Sequence, residues 1–454
     1  MQKIPYEKPV INRINAGVPD KFGMKSRIQP ITQIDDVTVR DLVQQYGSPL
    51  YVLSEKTIRN TYKKAVDAFK TRYPKVQFAW SYKTNYLNAV CQVFHQEGSW
   101  AEVVSGFEYE KAIANGVPGE KIIFNGPDKT RKDLTVAIDN GSLIHIDHLD
   151  EFYEIASIVK NSDKKAKVAI RINLDAGIYP QWFRFGFNFE NGEAWNAINK
   201  IMQTPGFELQ GLHTHIGTYI ISPQAYGIAT TKLAQLTVRI HHKYNHHIQY
   251  IDMGGGFASK NTLKGAYLPG TDTCPGFDDY AEHITEALHN SDIPYDHMPT
   301  LFLETGRALI DDAGFLLGSV IANKRLPDGR KALIIDIGIN LLFTSFWYEH
   351  NIVPAQHTQL DMENTTIYGP LCMNIDIIRE AINFPVMEKG EHVVINRIGA
   401  YNMTQWLQFI NYRPKVVMID TKGNTHIVRE EETSETMNQL DRVPEHLKSV
   451  NNDH

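Results

Sequence analysis

The sequence predicts an α/β architecture: a (β/α)8 TIM-type barrel over residues 47–308, followed by a mainly β C-terminal domain at 309–430. Three observations predict it. Short β-rich runs alternate with longer stretches of helical spacing, which is the pattern of a parallel sheet covered by helices. The alternation repeats about eight times in roughly 250 residues, the usual allotment of a closed barrel rather than an open sheet. After Gly306 the helical stretches thin out and strand-like runs dominate.

In chain order, an N-terminal segment (1–46) is expected to join the β domain. The strand-like runs that follow are SPLYVLS, KVQFAWSY, KIIFNG, SLIHID, KVAIRIN, LQGLHTHIG, YIDMGGGF and TLFLETG. Stretches such as EKTIRNTYKKAVDAFKTRY and LDEFYEIASIVKNS separate them with the apolar spacing of amphipathic helices. The runs FLLGSVIANKRL, RKALIIDIGI, HVVINRIG and KVVMIDTKGNTHIVR make up the β domain, and residues 431–454 form a charged tail with the composition of a loose helix or disordered segment.

The 454 residues are 42% hydrophobic and 22% charged, enough apolar surface for packed cores. A net charge of -6 without basic stripes argues against a nucleic-acid partner. The N-terminus has charges throughout and no apolar core segment, and no run approaches the roughly 18 apolar residues that span a bilayer, so a cytoplasmic protein with no membrane partner is expected. Cys91, Cys274 and Cys372 are odd in number and widely spaced, which fits neither a disulfide framework nor a zinc site.

Chemistry concentrates where strand runs end. Lys83, in SYKTN after the apolar VQFAW, is placed to be desolvated, which would lower its pKa and free the amine for a Schiff base. In HTHIGTY, His213 and His215 share a strand face by the period of two; a metal pair is one reading. An imidazole stacked on a flat cofactor ring, followed by Gly217 and the Thr218 hydroxyl for a phosphate, accounts for more of the string, and no metal is assigned. DMGGGF supplies Gly254, Gly255 and Gly256, whose backbone N–H groups can approach an anion closely, though the spacing is not a dinucleotide fingerprint. LETGR places Glu304, Gly306 and Arg307 at the last strand end of the repeat, where a carboxylate suits a pyridine nitrogen and a guanidinium a phosphate; a salt bridge between the two is the plainer reading. In the second domain Cys372, in GPLCMNID, is expected on an exposed loop flanked by Asn374 and Asp376, and Tyr401 in GAY offers a phenol. The cluster HHKYNHH (241–247) is expected to be a solvated surface turn.

In this order, the motifs resemble the fold-type III pyridoxal-phosphate-dependent decarboxylases, the group with diaminopimelate, ornithine and arginine decarboxylases, from about Gly47 to about Tyr412. The resemblance implies pyridoxal 5'-phosphate as cofactor, Lys83 as the Schiff-base lysine, and His215 stacked on the ring. It implies a phosphate cradle of Thr218, Gly254, Gly255, Gly256, Gly306 and Arg307, with Glu304 at the ring nitrogen and Tyr401 reaching the phosphate or substrate. It also implies that Cys372 is a catalytic thiol supplied by the partner subunit of a homodimer with shared active sites, and that Glu102 and Arg171 lie near the ring.

Substrate positions depart from the family pattern. Where diaminopimelate decarboxylases place a Glu and ornithine decarboxylases an Asp after the catalytic Cys, this sequence has Met373; where the former carry Arg-Pro, it has Thr344 and Ser345. Tyr348 and Glu349 keep the Tyr-acid pair of the ornithine enzymes. Arg307 and Tyr401 complete the expected substrate contacts. These departures argue against diaminopimelate and for an amino-acid-like substrate, free, conjugated or carrier-bound, of a specialised siderophore, antibiotic or polyamine pathway. Two alternatives stay open: an amino-acid racemase, against which Glu304 argues because racemases pair the ring nitrogen with Arg, and a non-catalytic decarboxylase-like regulatory binding protein.

Overall fold

A computed structural model describes residues 28–160, 163–358 and 362–448. The chain divides into two compact units.

The larger unit (50–316, 340–351 and 395–448 of the described residues) holds eight parallel strands: β1 Val76–Ser81, β2 Trp100–Val103, β3 Ile122–Phe124, β4 Leu143–Ile146, β5 Ala166–Asn173, β6 Phe207–His213, β7 Tyr250–Asp252 and β8 Thr300–Leu303. Each pairs with the next, β8 pairs with β1, and the ring closes. Helices cover it: α1 Glu55–Lys70, α2 Asn88–Gln96, α3 Gly106–Ala114, α4 Arg131–Asp139, α5 Leu149–Val159, α6 Glu193–Gln203, α7 Gln224–Tyr244 and α8 Phe277–His289. Local chemistry sets their starts. Ser54 caps α1 by accepting from Thr57, and Ile58, Tyr62, Ala65 and Phe69 form its buried stripe. Thr130 and Asp133 make a reciprocal capping box on α4.

Two features of the expected barrel are corrected. SPLYVLS is not a barrel strand: Leu50–Ser54 pairs in parallel with Val416–Ile419, and its place in the ring is taken by β2, the four-residue strand WAEV that lies within a run of mixed polarity. A wholly buried apolar run carries no mark of the sheet it joins. The domain boundaries also differ from 47–308 and 309–430, because 340–351 and 395–448 belong to the barrel unit. Hydrogen bonds to barrel loops hold them there: Asn85 Nδ2 donates to Gly399 O (3.0 Å), Tyr401 N–H to Thr84 O (2.8 Å) and Glu349 N–H to Thr262 O (2.9 Å).

The smaller unit (28–49, 317–339 and 352–394) is β-rich. Lys331–Ile335 runs antiparallel to the strand ending at Arg325 and parallel to Met362–Tyr368, which pairs antiparallel with Ile377–Pro385. In the N-terminal segment, a two-strand hairpin leads into helix Val39–Tyr46, capped by Thr38; residues 1–27 lie outside the described residues. Asp376 is buried rather than part of an exposed loop, because its carboxylate accepts the N–H groups of Ile339 (2.8 Å) and Leu371 (2.7 Å). That anchor leaves Cys372 exposed.

In the charged tail, a short helix occupies Ser434–Asn438 and a 3-10 turn Glu445–Leu447, with 449–454 outside the described residues. The histidines of HHKYNHH are less solvated than expected: α7 ends among them, and the His247 ring packs on His241 (4.4 Å between centroids) and on His297 (3.6 Å).

The barrel interior is layered by the strand period of two. Ala79, Ile123, Leu143, Ala169, Tyr250 and Phe302, with Trp100, form an apolar floor. Two residues on, within β1, β4, β5 and β7 or immediately past the ends of β3 and β8, stand Ser81, Asn125, His145, Arg171, Asp252 and Glu304; β2 and β6 add Glu102 and His213. One pleat therefore converts an apolar layer into a buried polar one.

Asp311 ties the loops above this layer. Its carboxylate accepts from Ser259 Oγ (2.6 Å), Asn261 Nδ2 (3.1 Å) and Ala400 N–H (3.1 Å), while burial pushes its pKa up to about 6 against the opposing pull of Arg307. A folded-state pKa above the unfolded value means that the folded chain binds more protons between about pH 4 and 6, so this contribution to stability is lost as pH rises through that window. Comparing denaturation midpoints, the wild type should lose on the order of 2 kcal/mol more than Asp311→Asn between pH 4 and 7; parallel pH profiles would refute this.

Candidate active site

A cavity of about 710 Å³ opens above the polar layer and is lined by the barrel unit alone. Lys83 lies in a 3-10 turn directly after β1, and its Nζ donates to Glu102 Oε2 at 2.6 Å. Ser81 Oγ donates to the same oxygen at 2.5 Å. Asn125 Nδ2 then bridges Glu102 Oε1 (3.1 Å) and Glu304 Oε1 (2.5 Å), so one chain of hydrogen bonds joins the amine to the carboxylate across residues 83, 102, 125 and 304.

The expectation that burial lowers the Lys83 pKa is overturned. Burial does pull it down, but the nearby Glu102 and Glu304 carboxylates outweigh that and hold the ammonium above its ordinary value. Its side chain keeps 36% of its surface open toward the cavity, so the charge is reachable.

His213 ends β6 and His215 lies two residues beyond the strand ladder, yet both line the cavity. His213 meets His145 (4.7 Å between ring centroids), and their donor atoms lie with those of Glu304 inside a 4.8 Å cluster. Burial holds both imidazoles well below their ordinary pKa, so they are neutral. His215 lines the cavity, its pKa lowered to about 3 by burial and by the charges of Arg171 and Lys83. It too presents a neutral ring, 5.5 Å from that of Trp182.

The glycine turn after β7 is tightly enclosed. A Cβ on Gly254 would lie 2.7 Å from Thr214 O, on Gly255 2.7 Å from Glu304 O, and on Gly256 2.2 Å from Gly217 O. Gly254 and Gly256 also have φ of +64° and +98°. Gly306 is closed off in the same way, by the Thr84 hydroxyl at 2.0 Å. Thr218, Arg307 and Tyr401 line the cavity beside them. Arg307 does not bridge to Glu304; its guanidinium lies over the rings of Tyr401 (4.7 Å) and Tyr348 (5.3 Å), with Nη1 buried and without a hydrogen-bond partner among the described residues. Tyr401 holds a left-handed backbone, φ 64°, unusual for a non-glycine and concentrated at functional positions.

Among the other expected residues, Glu102, Arg171 and Tyr348 line the cavity; Glu349 is exposed and does not. Cys372 and Met373 lie on the smaller unit. Thr344 is engaged internally, its hydroxyl bonded to Asn402 Oδ1 and His350 Nε2 at 2.8 Å, and Ser345 is buried beside it. Sequence reasoning missed Asn125, His145 and Asp252, and the aromatic residues Trp182, Phe185 and Trp347 on the cavity wall. The first three were signalled by polar residues at strand C-terminal ends, where barrel sites form.

These parts compose one site: an amine held by a carboxylate, a neutral imidazole, an enclosed glycine turn with an unpartnered guanidinium, and a second carboxylate buried in the barrel. A family model described as the pyridoxal binding domain of pyridoxal-dependent decarboxylases matches residues 57–311, more than half the chain. The chain belongs to this family. It is a pyridoxal-phosphate-dependent amino-acid decarboxylase of fold type III, with the barrel and β-rich domain of that fold. Similar proteins include the diaminopimelate decarboxylases of Bacillus subtilis (28% identical, over 90% of this chain and 94% of the relative) and Methanocaldococcus jannaschii (29%, over 91% and 95%). The solved structure of the latter aligns with a TM-score of 0.83 at 28% identity, covering 91% of this chain and 96% of that one. A lysine/ornithine decarboxylase from Vibrio vulnificus shares the fold (TM-score 0.71, 21% identity, 85% and 98% covered).

The site fits the family's cofactor by two features: glycines that no side chain can replace, and a buried guanidinium Nη1 with no partner of its own, suited to phosphate. Gly256→Ala would push the 256 and 217 turns apart. Its affinity for pyridoxal phosphate, measured by reconstitution, should fall by about tenfold or more, that is by at least about 1.4 kcal/mol; unchanged affinity would place the phosphate elsewhere.

Proposed function

We propose that this chain removes the α-carboxylate of an amino-acid-like substrate other than diaminopimelate, in the cytoplasm and as a homodimer with shared active sites. The hydrogen-bonded chain from Lys83 through Glu102 and Asn125 to Glu304 carries the reading, because it links a cofactor-holding amine to an acid placed for the ring nitrogen. When bound, pyridoxal phosphate supplies a conjugated ring that takes up the electrons left by departing CO2.

The residues divide the remaining work. Lys83 would hold the cofactor, with Glu102 2.6 Å from its Nζ to take and return a proton. His215, which lines the same cavity, would offer the ring a neutral imidazole that adds no charge. Glu304 keeps the ring nitrogen protonated, stabilising charge as it develops in the transition state. Gly254, Gly255, Gly256, Gly306, Thr218, Arg307 and Tyr401 hold the phosphate. Arg307, Tyr348 and Tyr401 bind substrate, and Met373 is assigned to its distal end; Glu349, expected there too, lies outside the cavity lining. Cys372 of the partner subunit returns a proton to Cα.

The distal wall supports the departure from diaminopimelate. Thr344 spends its hydroxyl on Asn402 and His350, Ser345 is buried, and Glu102 and Glu304, the carboxylates lining the cavity, are both engaged. Trp182, Phe185, Leu263, Trp347 and Tyr348 supply an apolar wall. A specialised siderophore, antibiotic or polyamine pathway fits an intact cofactor set beside an altered distal pocket.

CO2 release should be measured from L- and D-lysine, ornithine, arginine, diaminopimelate and their acylated forms. One of the others should exceed diaminopimelate by about tenfold or more in kcat/KM, equivalent to about 1.4 kcal/mol. Diaminopimelate as the best substrate would sink the substrate reading, and chiral inversion without CO2 the decarboxylase reading. Lys83→Ala should abolish both CO2 release and the visible absorbance of lysine-bound cofactor.

A further inference from the structure

Beneath the cavity, Asp252 ends β7 with no exposed surface, beside His213 on the β6 ladder. Its Oδ1 accepts the Gly254 N–H at 2.8 Å. Among the described residues no donor reaches Oδ2; the neighbouring carboxyl is that of Glu304, which follows β8 beside β7 and whose N–H bonds Gly254 O at 2.9 Å. Two ionised carboxylates so placed, one with a bare buried oxygen, would repel strongly and leave an uncompensated charge. A single proton between them removes both penalties. Glu304 has another donor, Asn125 Nδ2 at 2.5 Å, and Asp252 has only one backbone N–H, so the proton belongs on Asp252.

We propose that Asp252 is a neutral carboxylic acid that donates its hydrogen bond to Glu304, leaving the buried pair one negative charge to set against the cofactor ring nitrogen. The inference rests on the reading of Glu304 given above. The groups facing the pair agree. His213 approaches Glu304 Oε2 at 3.5 Å and His145 approaches Oε1 at 4.0 Å, both as neutral imidazoles; Tyr250 is bonded to His145 at 3.0 Å, and Lys83 is committed to Glu102. Burial, Glu304 and Glu102 all hold the Asp252 pKa well above its ordinary value.

Asp252 thereby acts as a positioning residue. It clamps Gly254 through the backbone N–H, and Gly254 O in turn accepts the Glu304 N–H at 2.9 Å. The glycine turn and the acid are thus set in register by one side chain.

The amide of Asp252→Asn can accept from Gly254 and donate to Glu304, as a neutral acid does and a carboxylate cannot. Asp252→Asn, Asp252→Ala and Glu304→Gln should be purified as holoenzymes and checked for folding by thermal melting. Their visible cofactor spectra against pH and their dissociation constants for pyridoxal phosphate are then compared. Asp252→Asn should keep the wild-type spectrum and affinity within about threefold, and Asp252→Ala should lose about tenfold or more in affinity with an altered spectrum. Infrared difference spectra of wild type against Asp252→Asn at neutral pH should show a protonated-carboxyl stretch in the wild type only. Folded Asp252→Asn behaving like Asp252→Ala, Asp252→Ala matching wild type, or no such stretch overturns the proposal. An unchanged spectrum and affinity in Glu304→Gln overturns the Glu304 reading instead.

Discussion

The site depends on one layer of buried polar side chains at the mouth of a closed barrel. Eight strands each deliver one: Ser81, Glu102, Asn125, His145, Arg171, His213, Asp252 and Glu304. Such a layer survives in a protein interior only if its members satisfy one another. Here Glu102 takes three donors, Asn125 bridges two carboxylates, Arg171 faces Asp147 at 3.6 Å, and the imidazoles stay neutral, while Asp252 Oδ2 and both His213 nitrogens are left without a hydrogen-bond partner among the described residues. The apolar floor beneath shields the layer from water and strengthens each contact.

This layer supports the proposed chemistry. In that reading a fixed acid at the ring nitrogen is held without water, and the lysine stays charged until its proton has somewhere to go. Both follow from the same chain, since Glu102 serves Lys83 directly and Glu304 through Asn125. Loops carry the rest: the glycine turn after β7, Arg307 after β8, and Tyr401 on a segment of the C-terminal half that returns to the barrel unit.

Much of the fold was legible because strand and helix periods differ and their alternation fills a barrel's length. The errors have physical causes. Leu50–Ser54 is fully buried and apolar, so its pattern cannot say which sheet it joins, whereas β2 is too short for period two to declare itself. The domain cut failed because segments 340–351 and 395–448 return to the barrel unit through backbone hydrogen bonds, which sequence does not encode locally.

By itself the sequence determined the residue types and their positions at strand ends: Lys83 after VQFAWSY, three glycines after YIDM, Glu304 after TLFL, and Asn125 and Asp252 two residues beyond apolar ones. Alternation along a strand is a local property, so it can be read one strand at a time. Tertiary structure alone decided what those residues meet. Asn125 and Glu304, 179 positions apart, share a hydrogen bond because the sheet closes on itself, and the charge on Lys83 follows from carboxylates that ring closure brings near. Electrostatics depends on distance in space, and only the closed barrel fixes that distance.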